Sequence, residues 1–134
     1  MADYPLTVVT PEGVVYEGPV TEIILRGSEG DLGVLAHHMP LVTAVLPCVL
    51  HVVETDGTRR RFALGGGFLE VGREETVVLA DTAEPSEQIN RSRAEDARRR
   101  AQERIDRGGV DLDLARARAA LARAEARLGA LDGE

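Results

Sequence analysis

The chain has 134 residues, 43% of them apolar, with a formal net charge of −7 and a single cysteine. That length suits one domain with a small appendage, and the lone Cys48 excludes an internal disulfide, which fits a reducing compartment. No apolar run approaches the ~20 residues of a membrane span, and the start, MADYPLTVVTPEG, lacks the basic-then-apolar order of a signal peptide.

The first half alternates with the period of strands. LTVVT (6–10), GVVYEG (13–18), VTEIILR (20–26), LVTAVL (41–46), VLHVVET (49–55), RRFALG (60–65), GFLEVG (67–72) and TVVLAD (76–81) are short and β-branched. Pro11–Glu12–Gly13, Gly18–Pro19, Asp56–Gly57 and Gly72 punctuate them, and Asp56–Gly57 is a hairpin signal because both residues tolerate positive φ. Evenly spaced short strands predict an antiparallel β-sandwich or barrel. With no Trp, two Phe and two Tyr, its core must be filled by Val, Leu, Ile and Ala.

From Pro85 the period changes to that of helices. SEQINRSRAEDARRRAQERIDR (86–107) is polar, with Ile89, Ala94, Ala97, Ala101 and Ile105 as its apolar stripe and Ser86 as the expected N-cap. Gly108–Gly109 interrupts the pattern. A second helix, capped by Asp111 or Asp113, follows with Leu114, Ala117, Leu121, Ala124, Leu128 and Leu131 at alternating steps of 3 and 4. The fold expected is α+β: an N-terminal antiparallel β-sandwich (residues 1–84) followed by a C-terminal antiparallel two-helix hairpin (residues 85–134). Charge divides in the same place. All 16 basic residues are Arg, with 5 of them against 13 acids in residues 1–84 and 11 against 10 acids in residues 85–134. An acidic chain without a basic, aromatic-studded face does not suit nucleic acid.

Two stretches and one cysteine invite a chemical reading. In GSEGDLGVLAHHMPLV (27–42), His37 and His38 would point to opposite faces of an extended chain, and only His51 and Cys48 remain to complete a metal set, so no metal is expected. The same stretch lacks the Lys of a phosphate loop, and its acids would repel phosphate; Glu29–Gly30–Asp31 instead suits an exposed docking loop. GGGF (65–68) leads into a strand rather than a helix, which points to close backbone approach or a bulge and not to nucleotide phosphates. No G-x-S-x-G, H-E-x-x-H or Walker sequence is present, and Cys48, with no base beside it, reads as a small apolar residue.

GSEGDLGVLAHHMPLVTAVLP, GGGFLEV, TVVLADTAE and LARARAALARAEARL, in that order, resemble signatures of the epsilon subunit of bacterial and chloroplast F-type ATP synthase over essentially the whole chain. The resemblance implies a non-catalytic rotor subunit of a proton-translocating enzyme. Glu29, Gly30, Asp31 and Leu32 would meet the c-ring loops, and His38, Thr43 and Glu70 would lie towards the gamma subunit. Asp31 stands where the family commonly has Glu, so the charge is kept at shorter reach. The hairpin would extend along gamma, turn its arginines to acidic segments of the catalytic alpha and beta subunits, and obstruct rotation in the hydrolysis direction. No cofactor is required, but some members bind ATP as a regulatory ligand through [IL]-D-x-x-R-A. Here that segment is Ile89–Asn90–Arg91–Ser92–Arg93–Ala94, with an amide in place of the carboxylate. ATP would then touch Glu84, Ile89, Asn90, Arg93, Ala94 and Arg100, with Arg93, Arg100 and Arg104 on one helix face. The resemblance also implies a peripheral place on the cytoplasmic face of the bacterial plasma membrane, held there only by the complex. Two other classes are a free-standing ATP-sensing hairpin protein and a small metal-dependent hydrolase using His37 or His38.

Overall fold

The computed structural model describes residues 2–133; the outermost positions of the two expected domains, 1 and 134, lie outside them. Among the described residues, seven strands precede two helices. The strands are β1 (Tyr4–Thr10), β2 (Gly13–Gly27), β3 (Gly30–Leu35), β4 (Leu41–Glu54), β5 (Arg59–Val71), β6 (Thr76–Ala80) and β7 (Ala83–Pro85). A 3-10 turn (Ser86–Gln88) leads to α1 (Arg91–Arg107) and α2 (Leu114–Asp132).

Strand order is β1-β6-β5-β4-β2-β3, and β1 also pairs with β2, so the sandwich closes on itself like a barrel. The β1–β6 ladder is parallel, a departure from the antiparallel pairing expected throughout; the other ladders are antiparallel. Inside lie Leu6, Val8, Val20, Ile23, Leu50, Leu69 and Val78, each essentially inaccessible to solvent. Burying a side chain of this size contributes about 1.5–3 kcal/mol, so this aliphatic set suffices without Trp. Tyr16 and Phe62 meet edge to face with ring centroids 5.6 Å apart.

Three pairs of expected strands prove continuous: 13–18 with 20–26 through Pro19, 41–46 with 49–55 through Pro47, and 60–65 with 67–72 through Gly66. At the first and third joints one strand changes partners, and at the second the register slips. β2 pairs with β1 up to Val20 and with β3 and β4 beyond it. Pro47 lies where the β2–β4 register slips between Ile24 and Gly27. β5 pairs with β7 at Phe62–Leu64 and with β6 from Gly67. Proline is tolerated there because an interrupted ladder asks for no N–H. At the third joint Gly66 and Gly67 have φ of 99° and 144°, and a Cβ on Gly67 would collide with the Leu79 carbonyl oxygen. The close backbone approach expected of GGGF is therefore a sheet corner. GDLGVL (30–35), absent from the expected strand runs, forms β3.

The hairpin is folded against the sandwich. α2 packs on β4 and β5, and α1 packs on α2. In the expected seam Ala117, Ala124 and Leu128 are buried, Leu121 and Leu131 are half-buried, and Leu114, at the start of α2, is 39% exposed. A second face of α2 is also covered: Ala126 and Ala130 pack against Ala63 of β5, with Val49 and Ile89 at the margin. The cap of α1 falls four residues after the predicted one. Asn90, not Ser86, caps it, accepting the Arg93 amide on Oδ1 at 3.0 Å, because Ile89 must stay extended to reach the alanine cluster. Asp113 caps α2 in the same way, at 3.0 Å from the Arg116 amide.

Candidate functional site

The turn between β2 and β3 closes on the Gly27–Gly30 pair and carries Glu29 at its exposed tip. Gly30 takes a φ of 125°, which a residue with a side chain would resist. Asp31 is exposed and faces Arg26 across the ladder, with Arg26 Nε 3.2 Å from its Oδ1. Both partners are largely in water, so the pair is worth about 1 kcal/mol or less and yields readily to another cation. Leu32 behaves differently from its neighbours: opposite Leu25, it packs half-buried against the core. Glu29, Gly30 and Asp31 thus share an exposed foot from which Leu32 turns away.

His38 lies in the β3–β4 connection, half-buried, with Nδ1 2.7 Å from the Met39 carbonyl oxygen. His37 before it has a φ of 65°, so the chain turns there and the extended geometry assumed for this pair does not hold. Among the described residues no group of three His, Cys, Asp or Glu side chains is placed to hold a metal. Burial raises the Cys48 thiol above its ordinary pKa, which keeps it protonated and unreactive.

Thr43 and Glu70 fall on opposite faces of the sheet. Thr43 lies across from the buried Leu69, whereas Glu70 lies across from Val42 and points outward. Around Glu70 the outer face is apolar: Val42 is 70% exposed, Phe68 55% and Leu79 48%. Phe68 stands directly between Ala44 on β4 and Leu79 on β6, so these residues form one continuous patch. Val42, Phe68 and Leu79 were not singled out from the sequence. Their signal was weak, because TVVLA is apolar on both faces and alternation does not separate inside from outside.

A concavity of about 530 Å³ lies where β7, the 3-10 turn, α1 and α2 converge. Glu84, Ile89, Asn90, Arg93, Ala94 and Arg100 all line it. Gln88, Asp96, Ala97 and Arg127 complete the lining and were not anticipated. Arg127 reaches in from α2 and donates through Nε to Glu84 Oε1 at 2.6 Å. Asn90 already spends its Oδ1 on the helix cap. Arg104, expected on the same face, is not part of the lining; its Nε lies 3.4 Å from the Arg100 carbonyl oxygen, one turn back. The cleft presents three guanidinium groups against two carboxylates, a composition suited to a polyanion with hydrogen-bonding edges.

No described helix is long and apolar enough to cross a membrane. Comparison with known proteins agrees with this architecture part by part. Residues 3–86 match the family described as "ATP synthase, Delta/Epsilon chain, beta-sandwich domain", and residues 87–132 match "ATP synthase, Delta/Epsilon chain, long alpha-helix domain". The ATP synthase epsilon chain of Moorella thermoacetica is 44% identical over 130 residues, covering 97% of each chain. That of Desulforamulus reducens is 41% identical over 127 residues, covering 95% of this chain and 96% of its own. Among solved structures, a chain of the Euglena gracilis mitochondrial ATP synthase (OSCP/F1/c-ring) superposes with a TM-score of 0.83 at 25% identity, covering 98% of this chain and 82% of that one. A chain of the Tetrahymena thermophila mitochondrial ATP synthase central stalk and c-ring shares the fold, with a TM-score of 0.62 at 15% identity and 97% of each chain covered. With both domains matched in order and full-length relatives above 40% identity, this chain belongs to the ATP synthase delta/epsilon family as an epsilon chain, a non-catalytic subunit of that membrane-associated complex.

Proposed function

We propose that the sandwich couples the gamma subunit to the c-ring within the central stalk, and that the hairpin is a releasable brake on ATP hydrolysis. The observation carrying this reading is the chemistry of the α2–sheet contact. Its buried cluster is made of alanines, Ala63, Ala126 and Ala130, and one buried methyl group contributes only about 0.8 kcal/mol. A helix held by a few such groups can leave when a partner offers a better surface, whereas a Leu-rich interface would not let it go. Once released, the arginines of α1 and α2 would face acidic segments of the alpha and beta subunits.

Docking uses residues of the sandwich. The exposed foot Glu29, Gly30 and Asp31 suits the c-ring loops, with Leu32 supporting it from within. The apolar patch around Glu70 suits gamma, with His38 in the β3–β4 connection and Thr43 on the inner face also lying towards it. In a bacterial cell this assembly would hold the subunit on the cytoplasmic face of the plasma membrane. Removing residues 86–134 from the assembled enzyme tests the brake: hydrolysis is expected to rise with assembly intact, and unchanged hydrolysis under inhibiting conditions would refute it.

ATP as a regulatory ligand is a second reading, favoured by one observation: the six residues that the family resemblance names, four of them in the motif, line a single cleft. Phosphates would engage Arg93 and Arg100, and a bound nucleotide would hold the hairpin down by bridging its two helices. Calorimetry on the isolated chain with millimolar ATP, with and without magnesium, tests this directly. Silence in both titrations excludes it, and with it the alternative of a free-standing ATP-sensing protein.

A further inference from the structure

The C-terminal end of α2 gathers its positive charge from elsewhere in the chain. A helix end carries partial negative charge and open carbonyls, which cations in the last turn normally offset. α2 has no basic residue in its last turn. Gly133, in the left-handed conformation, closes one carbonyl by donating its amide to Gly129. The Ala130 carbonyl is met instead by Arg61 of β5, whose Nε donates at 2.6 Å across 69 residues of sequence. Asp132 is met by Arg91 at the start of α1, at 2.7 Å.

These two contacts differ in kind. Arg91 and Asp132 are both about half exposed, which leaves their pair screened by water. Arg61 is half-buried, and its partner Ala130 is fully buried inside the alanine cluster. Without Arg61, that carbonyl would stay buried with one fewer donor while α2 remained docked, a cost that falls on the docked state alone.

We infer that Arg61 is a latch: it caps α2 from the sheet and sets how far the hairpin's equilibrium lies towards the docked state. The inference adds to the brake proposed above a residue that tunes it, but its test uses the isolated chain and needs no assembled enzyme.

Hydrogen exchange on the full-length chain reads α2 and the sandwich separately. Arg61→Ala is expected to speed amide exchange along α2 by about tenfold or more, the loss expected of one charge-assisted hydrogen bond to a buried carbonyl, with β1 and β6 unchanged. Asp132→Asn, which removes the Arg91 pair and leaves Arg61 in place, is expected to change α2 exchange by less than about threefold. Arg61→Lys keeps the charge and a donor, and is expected to fall between wild type and Arg61→Ala. Unchanged α2 exchange in Arg61→Ala overturns the latch. So does equal acceleration in α2 and the sandwich strands for both Arg61→Ala and Arg61→Lys, since that marks a residue supporting the sheet.

Discussion

Arg127 of α2 and Glu84 of β7 form a 2.6 Å ion pair in the lining of the arginine cleft, joining the hairpin to the last strand of the sandwich. Each side chain is about a third exposed, at 31% and 38%, so the pair is expected to be worth about 1 kcal/mol or less. A double-mutant cycle with Glu84→Gln and Arg127→Ala, followed by urea denaturation, measures that coupling.

The same cleft gives a binding prediction. Arg93→Ala and Arg100→Ala are each expected to weaken ATP binding by about tenfold, the scale of one lost charge-assisted phosphate contact. Arg104→Ala, outside the lining, is expected to leave binding within about twofold of wild type on the same scale. Calorimetric titration of the three variants separates these outcomes.

Phe68 is about half exposed, so Phe68→Asp is expected to lower stability by about 1–2 kcal/mol, from its partial burial and the poor strand propensity of Asp, and to leave the fold intact. If the apolar face seats gamma, the same change should cut association with gamma by at least tenfold, about the effect of losing an aromatic anchor. Surface-immobilised gamma gives the comparison. Equal binding by both proteins would move the interface elsewhere.

Gly67→Ala tests the sheet corner. The added Cβ meets the Leu79 backbone at a φ of 144°, so neither a rotamer change nor a small shift relieves it. A loss of about 2–4 kcal/mol is expected in chemical denaturation. Gly57→Ala, where a Cβ meets nothing within 4 Å but φ is 89°, should cost only about 1 kcal/mol of backbone strain.

Alkaline pH should expose the two tyrosines. Burial raises the pKa of Tyr4 well above its ordinary value of 10.0. It does the same for Tyr16, whose hydroxyl also donates to Glu54 at 2.6 Å. The folded state therefore keeps protons that the unfolded state releases near 10.0, and stability is full below that pH and falls as pH rises above it. Below pH 10.0 the double variant Tyr4→Phe and Tyr16→Phe is expected to sit at a constant lower urea midpoint, having lost the hydroxyl bonds to Val34 and Glu54, and above that pH the wild-type midpoint is expected to fall towards it.

Most of the architecture was legible because its periods are clean. Strand runs such as VTEIILR alternate, and the Leu–Ala seam of α2 steps by 3 and 4. Pro19, Pro47 and Gly66 misled because a local breaker looks the same whether a strand ends, changes partners or slips register, and only the partner's position tells them apart. Ser86 looked like a helix cap because the need to extend Ile89 is tertiary, set by Ala63 on a strand far back in sequence. The cleft was legible by resemblance for the residues of its motif. Arg127 was not, since nothing local distinguishes it from the other arginines flanking the α2 seam. Thr43 and Glu70 parted for the simplest reason: an odd separation along paired strands reverses the face.

The β1–β6 ladder closes the sandwich by joining the first strand to residues 76–79. During synthesis the amino-terminal strand can complete its pairing only after β6 has left the ribosome. Both strands that receive α2 have emerged by then, and α2 itself is still to come. The platform of β4 and β5 is thus in place before the helix arrives, and the helix docks onto a surface already formed.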